Sequence, residues 1–226
     1  MKKLLVVLTL VVLFAPMAAQ AETITPVMGT YHMTGSVSTS TPAVLNGNFY
    51  IGQIAVNWKG ANYQAYCVDL FTDFNLSDSW TPVERQMAEL PILTNGVSNP
   101  PYADAGAGGE VAWLVNQKAA SIGSSRDAAA LQLAIWLSLY QTLPTSAFSF
   151  GSDTEYVKST AWAWSNAASG HTDNAIWLDF QGGPGLVHGQ DFVLPNSTPV
   201  PEPASMLLFG TGLIGLAAKA RRRLRK

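Results

Sequence analysis

The stretch NFYIGQIAVNWKGANYQAYCVDLF, residues Asn48–Phe71, decides the fold of this chain. Its first part, Asn48–Trp58, alternates partly between apolar and polar residues, and its last part, Tyr63–Phe71, resumes the pattern. Between them, Lys59–Asn62 contains the glycine and asparagine that are typical of a turn. Alternation with period two predicts strands, and two such runs joined by a short turn predict a β-hairpin.

The body of the chain divides into a β-rich first half and a helical second half. β-branched and aromatic residues fill Thr23–Phe74, and a further strand is predicted at Asp191–Leu194. The predicted helices are Glu110–Ile122, Arg126–Gln141 and Asp153–Ser169. Ser125 is the expected N-cap of the second helix, Gly170 the expected terminator of the third, and Gly106–Gly109 an expected flexible connection before the first. Strands followed by helices predict an α+β fold, in which hairpins pack against a helical layer.

The first 21 residues have the pattern of a secretory signal peptide. Lys2 and Lys3 give the positive start, Leu4–Ala15 is an apolar run, and Ala19–Ala21 is a small-x-small cleavage site. The body, residues 22–196, is therefore expected to be exported as a single domain.

Charge is strongly segregated along the chain. The whole chain has 13 Lys and Arg against 15 Asp and Glu, but residues 22–196 hold only 5 of the basic residues against 14 acidic ones, a formal charge of −9. Nucleic-acid binding needs clustered Lys and Arg for the phosphates, so this body excludes it.

Residues 197–226 form a third segment with three parts. Ser197–Pro203 is a proline-rich, extended linker, and Ala204–Ala218 is uncharged and mostly apolar. As a helix this apolar part reaches about 22 Å, against about 30 Å for a bilayer core, which predicts a marginal membrane span. The basic cluster Lys219–Lys226 is expected to stay cytoplasmic.

This order of parts resembles the PEP-CTERM sorting tail of Gram-negative bacteria. The matching residues are the motif Pro201, Glu202 and Pro203 and the basic patch Arg221, Arg222 and Arg223. The resemblance implies processing by an exosortase, a membrane transpeptidase-like enzyme. The body would be held transiently at the inner membrane by 204–218 and then delivered to the cell surface or the extracellular matrix. The alternative is a plain membrane anchor.

Two residues of the body need an explanation. Cys67 is the only cysteine, and an unpaired thiol in an exported protein is open to oxidation. Gln132 lies in the apolar helix predicted at Arg126–Gln141, where a buried carboxamide costs a few kcal/mol unless its polar groups are satisfied. An acyl bond between the two side chains would account for both, because it removes the amide nitrogen.

The segments around these residues resemble the thioester domain of bacterial surface adhesins. Tyr66–Asp69 matches the aromatic-Cys-Ile/Val-Asp motif of that family, and Leu131–Trp136 matches Thr-Gln-x-Ala-Ile-Trp, with Leu131 in place of the threonine. The resemblance implies condensation of the Cys67 sulfur with the Gln132 side chain, loss of ammonia, and covalent adhesion to a nucleophile on a surface protein or polysaccharide. The residues expected around the bond are Tyr66, Asp69 and Trp136.

Other functions stay open at this point. One is a non-covalent matrix protein that binds exopolysaccharide and uses Cys67 only structurally. Another, the least favoured, is a cysteine hydrolase in which a histidine serves Cys67 as a base, although His32, His171 and His188 lie far apart in the chain. No zinc or calcium spacing is present, so no metal or other cofactor is predicted. Coupling through a thioester would be a single turnover and not enzymatic.

Overall fold

The computed structural model describes residues 23–40, 45–70, 76, 79–89, 106–140, 143–180 and 190–196. The predicted signal peptide at 1–21 and the predicted tail at 197–226, with its apolar span 204–218, lie outside these residues. Within the described ranges, no helix combines the length and the apolar character that crossing a membrane requires.

In the part of the chain that the structure describes, seven strands form one sheet, and all of the pairings in it are antiparallel. The strands are β1 (Val27–Thr39), β2 (Leu45–Trp58), β3 (Ala61–Cys67), β4 (Val83–Gln86), β5 (Phe148–Ser149), β6 (Ile176–Asp179) and β7 (Phe192–Leu194). Their order across the sheet is β4-β6-β7-β3-β2-β1-β5. The predicted α+β fold is confirmed, and the helical half of the chain adds the three strands β5, β6 and β7 to the sheet of the first half.

The predicted hairpin is the β2–β3 pair. Lys59 and Gly60 form its turn, with φ angles of 51° and 75°, and positive φ at both central residues suits the right-handed twist of the strands. β2 begins earlier than predicted, at Leu45, and β3 ends earlier, at Cys67. Asp69 was predicted to lie in the same strand as Cys67, but it follows the end of that strand.

The described residues contain three α-helices, α1 (Ala107–Lys118), α2 (Ser125–Leu139) and α3 (Thr154–Ala168). α2 packs on β1 and β2, and α3 packs on α2 and α1. The N-cap of α2 is Ser124 instead of the predicted Ser125, and its side chain accepts a hydrogen bond from the Asp127 N–H at 3.3 Å. Gly170 follows α3 with φ 77°, the left-handed conformation that terminates helices, as predicted.

The glycines at 106–109 are not the flexible connection that their composition predicts. Ala107, Gly108 and Gly109 are helical and buried. A Cβ atom on Gly109 would lie 3.2 Å from the Thr172 Cα, so the missing side chain lets the segment after α3 pack closely on α1. Small side chains at the start of α1 therefore serve packing.

α2 is the central element of the core. All of its residues from Ala128 to Leu139 are buried, because β1 and β2 cover one side and α1 and α3 cover the other. A helix in this position has no solvent-facing side, so any polar side chain on it must find its partners inside the protein.

Candidate functional site

The Gln132 carboxamide is paired with the backbone of Cys67. The Cys67 N–H donates to Gln132 Oε1 at 2.8 Å, and Gln132 Nε2 donates to the Cys67 carbonyl at 2.7 Å. Gln132 is 1% exposed. Both its oxygen and its nitrogen thus have partners, which removes most of the cost of burying an amide in this helix.

The two hydrogen bonds with Gln132 replace a backbone pairing between β2 and β3 that is absent at Cys67. The β2–β3 ladder ends at the Ile54–Ala65 pair, and a continued register would set Gly52 opposite Cys67. Gly52 is not paired with Cys67, and its backbone has a positive φ of 125°, which is outside the usual range of a strand. The amide of Gln132 supplies Cys67 with the acceptor and the donor that a continued strand would have supplied. Helix α2 is therefore hydrogen-bonded to β3 at the residue that bears the thiol.

α2 holds the segment after Cys67 at a second point. Tyr140, directly after the helix, accepts a hydrogen bond from the Leu70 N–H at 3.1 Å through its phenol oxygen, which also donates to the Val68 carbonyl at 3.4 Å. Gln132, Trp136 and Tyr140 are spaced by four residues, so that Tyr140 follows the end of α2 on the side that bears Gln132 and Trp136. Tyr140 was not singled out from the sequence, and this spacing is the signal that points to it.

A cavity of about 430 Å³ lies beside this pair. Four residues predicted for the site line it: Cys67, Asp69, Gln132 and Trp136. The fifth, Tyr66, is not among the described lining residues. It is fully buried, its phenol oxygen accepts from Gln53 Nε2 at 3.4 Å, and burial raises its pKa to about 12.

The cavity is also lined by polar residues that were not assigned to the site from the sequence, among them His32, Gln53 and Gln190. His32 Nδ1 lies 3.0 Å from the Gly29 carbonyl oxygen, and Gln190 Nε2 donates to the Asp69 carbonyl at 2.7 Å. They belong to different strands and loops, and the fold brings them to the same cavity as Cys67. Of the other histidines, His171 stacks on Trp113 at 4.5 Å and His188 lies outside the described residues.

The surroundings of Cys67 disfavour a thiolate. Burial raises the pKa of its thiol well above the ordinary value, and the Asp69 carboxylate raises it further. The nucleophilic cysteines of hydrolases have a lowered pKa, which an electropositive environment provides. The site around Cys67 has the opposite character.

Asp191 is a second buried carboxyl near this strand end. Burial raises its pKa to about 7, against the opposing effect of the Phe180 N–H and Trp177 Nε1–H, which donate to it at 2.8 and 3.1 Å. The Asp191 carbonyl accepts from the Val68 N–H at 2.9 Å. The described residues contain no group of three or more His, Cys, Asp or Glu side chains placed to hold a metal ion.

The model of the PEP-CTERM protein-sorting motif matches residues 199–223. The predicted sorting tail is thereby confirmed, and it indicates an exported protein that an exosortase-type enzyme processes at the membrane before release to the cell surface. The signal peptide at 1–21 stays a prediction. No curated protein and no solved structure matches this chain.

Proposed function

We propose that Cys67 and Gln132 condense to an internal thioester, through which this exported protein couples covalently to a nucleophile on a target and so acts in adhesion at the surface or in the matrix. The observation that carries this proposal is the two-bond pairing of the Gln132 carboxamide with the Cys67 backbone. The two residues are 65 positions apart in the chain, and the pairing sets the acyl carbon beside the residue that bears the sulfur.

The condensation exchanges one acyl bond for another. Sγ of Cys67 attacks Cδ of Gln132, the Cδ–Nε2 bond breaks, and the thiol proton leaves with the nitrogen as ammonia. Negative charge develops on Oε1 during the attack, and the Cys67 N–H already donates to that atom at 2.8 Å. A backbone donor in this position can stabilise the intermediate as an oxyanion hole does.

The same surroundings favour storage of the bond. The sulfur of a thioester is uncharged, whereas spontaneous expulsion would produce a thiolate, which burial and Asp69 disfavour. Trp136, 4% exposed, and the apolar neighbours of α2 keep bulk water from most of the site. The cavity beside Cys67 and Gln132 gives a nucleophile an approach to the bond.

Coupling then transfers the acyl group of Gln132 to the target and returns the Cys67 thiol. An amine would give an amide and a hydroxyl would give an ester. The bond to the target persists, so each molecule reacts once. Leu131, which stands where the adhesin motif has threonine, is fully buried in the core.

The mass of the protein tests this proposal. In the protein released by the cell, the peptides that carry Cys67 and Gln132 should be cross-linked and lighter than their sequence by one ammonia, about 17 Da. Methylamine should add one adduct at Gln132 and expose one thiol. Cys67→Ala and Gln132→Ala should each abolish the deficit.

Gln64→Ala is the matched control, because Gln64 lies on β3 but its buried Oε1 has no hydrogen-bond partner among the described residues. This variant should keep the deficit. A full-mass protein with a titratable thiol would refute the thioester and favour the non-covalent matrix protein. A hydrolase would instead turn over a substrate and lose activity on changing Cys67 but not Gln132.

A further inference from the structure

We propose that the cavity beside Cys67 is the acceptor site of the coupling reaction and takes a neutral carbohydrate, one hydroxyl of which attacks the thioester with His32 as the base. This inference rests on the proposed thioester. It adds the class of nucleophile and the residue that moves its proton.

The lining of the cavity has the chemistry of a sugar site. Carboxamides are the most frequent polar side chains of the lining, among them Asn46, Asn48, Gln53 and Gln190, and Tyr50 adds an exposed aromatic ring. Carboxamides both donate and accept hydrogen bonds, as sugar hydroxyls do, and aromatic rings cover the apolar faces of sugar rings. The described lining contains no Lys or Arg, so it offers no cation to an anionic acceptor.

The lining residue Trp136 carries a donor that has no partner among the described residues. Trp136 is 4% exposed, and its indole Nε1 is buried without a hydrogen-bond partner among the described residues. A buried N–H without a partner costs about 1–3 kcal/mol, and an oxygen of a bound ligand would satisfy it. Tyr50 stands at the exposed side of the cavity, 67% accessible, with its ring edge-on to His32 at 6.2 Å.

His32 has the hydrogen bonding of a base. A carbonyl oxygen only accepts, so the contact of 3.0 Å with the Gly29 oxygen places a proton on Nδ1 and leaves the lone pair of the neutral ring on Nε2. A hydroxyl is a weaker nucleophile than an amine and needs a base to attack a thioester at a useful rate. The other titratable side chains in the described lining are Tyr50, Cys67 and Asp69.

The proton balance of the step is closed. As the sugar oxygen attacks Cδ of Gln132, its proton moves to His32 Nε2. The Cδ–Sγ bond then breaks, and the imidazolium gives the proton to the departing sulfur. The products are an ester of the Gln132 acyl group and a neutral Cys67 thiol, which the buried site favours over a thiolate.

The experiment uses the full chain with glycerol, glucose and N-acetylglucosamine as hydroxyl probes and methylamine as the amine probe. The wild-type protein should form an ester with at least one hydroxyl probe, seen as a mass increase at Gln132 that mild alkali removes. His32→Asn keeps an N–H near the position of Nδ1 but cannot accept the proton. It should retain the ammonia deficit and lose at least about tenfold in the rate of ester formation, with a smaller loss for methylamine.

The outcomes separate the two proposals. No ammonia deficit in the wild-type protein overturns the thioester itself. A deficit with a methylamine adduct but no ester overturns the carbohydrate acceptor alone. Equal rates of ester formation, with the same dependence on pH, in wild type and in His32→Asn and His32→Gln overturn the role of His32. Trp136→Phe, which keeps a ring but removes the N–H, should raise the sugar concentration that gives half the maximal rate.

Discussion

At the scale of single residues, Gln132 shows how a polar side chain can be placed inside an apolar helix. Its amide completes the hydrogen bonding of Cys67 where the β2–β3 ladder has ended. The sequence predicted that Cys67 and Gln132 would meet. It did not predict that the amide would bond to the Cys67 backbone, because that depends on where the neighbouring strand ends.

We expect Gln132→Ala to lower the free energy of unfolding by about 2–4 kcal/mol, because it leaves the part-buried backbone N–H and C=O of residue 67 without the partners that Gln132 provides. The comparison is made in a Cys67→Ala background, in which no thioester can form, by denaturant unfolding. Gln64→Ala in the same background should change the free energy by less than about 1 kcal/mol. Equal losses for the two variants would contradict this account.

Asp191 gives a prediction on pH. Its pKa in the folded protein is raised to about 7, above the ordinary value of about 3.9 in an unfolded chain. The folded state then binds the proton more tightly, so the contribution of Asp191 is complete below about pH 4 and is lost as the pH rises to about 7. Asp191→Asn should therefore flatten the fall in stability between these limits.

The measurement is the free energy of unfolding of wild type and Asp191→Asn at several pH values from 4 to 8. The variant also loses one acceptor for Trp177 and Phe180, so its stability will be offset at every pH. The quantity to compare is therefore the slope of the free energy of unfolding against pH, and not its absolute value. Parallel curves for the two proteins would show that Asp191 does not titrate in this range.

At the scale of elements, the tetrapeptide AIWL occurs twice and folds in two ways. Residues 134–137 belong to helix α2, and Ile176–Leu178 belong to strand β6. The first copy continues a long apolar run that favours a helix. The second is short and pairs with β4 and β7, and that pairing decides its conformation. Local sequence predicts long elements such as α2, but short strands such as β4 and β6 depend on partners that are distant in the chain.

The close approach of β1 to β2 also belongs to this scale. The register of the two strands shifts between Met28 and His32, and a Cβ atom on Gly29 would lie 2.5 Å from the Gln53 Cβ. Gly29→Ala should therefore push the strands apart and lower the free energy of unfolding by about 1–3 kcal/mol. Thermal or denaturant unfolding measures this.

Gly47→Ala is the control for this prediction, because a Cβ atom there meets no atom within 4 Å. Alanine restricts the unfolded chain more than glycine does, so this variant should be neutral or slightly more stable. A loss of stability in Gly47→Ala as large as in Gly29→Ala would show that the contact with Gln53 is not the cause.

At the scale of the whole molecule, the sequence predicted three segments, and the sorting motif predicted within the last of them is found at 199–223. The α+β class was also predictable, since long strands precede long helices. The cavity was not. His32, Gln53 and Gln190 come from separate parts of the chain, and no spacing in the sequence relates them to Cys67.

The tail gives a prediction on sorting. Exchange of Pro201, Glu202 and Pro203 for alanine should leave membrane insertion intact but block release, because insertion depends on the apolar residues 204–218 and the basic cluster. Cell fractionation and the C-terminal mass of the released protein measure both effects. Normal release after this exchange would contradict the sorting role of the motif and indicate a plain membrane anchor.

Exchange of Arg221, Arg222 and Arg223 for glutamate should act differently. Positive residues hold the cytoplasmic end of a span, so their reversal should disturb orientation and retention at the membrane. If the released protein of the wild type still carries these arginines, the tail is not removed by processing.

The place of β7 in the sheet has a mechanical consequence. β7 is the last described strand before the tail, and it lies between β6 and β3 instead of at an edge. In a molecule tethered through its C-terminal side and bonded to a target through Gln132, tension enters the sheet at β7 and leaves through α2. β7 is paired on both sides, with β6 and with β3. Pulling β7 out of the sheet requires the hydrogen bonds to β3 and to β6 to break together, whereas the hydrogen bonds of an edge strand could break one after another.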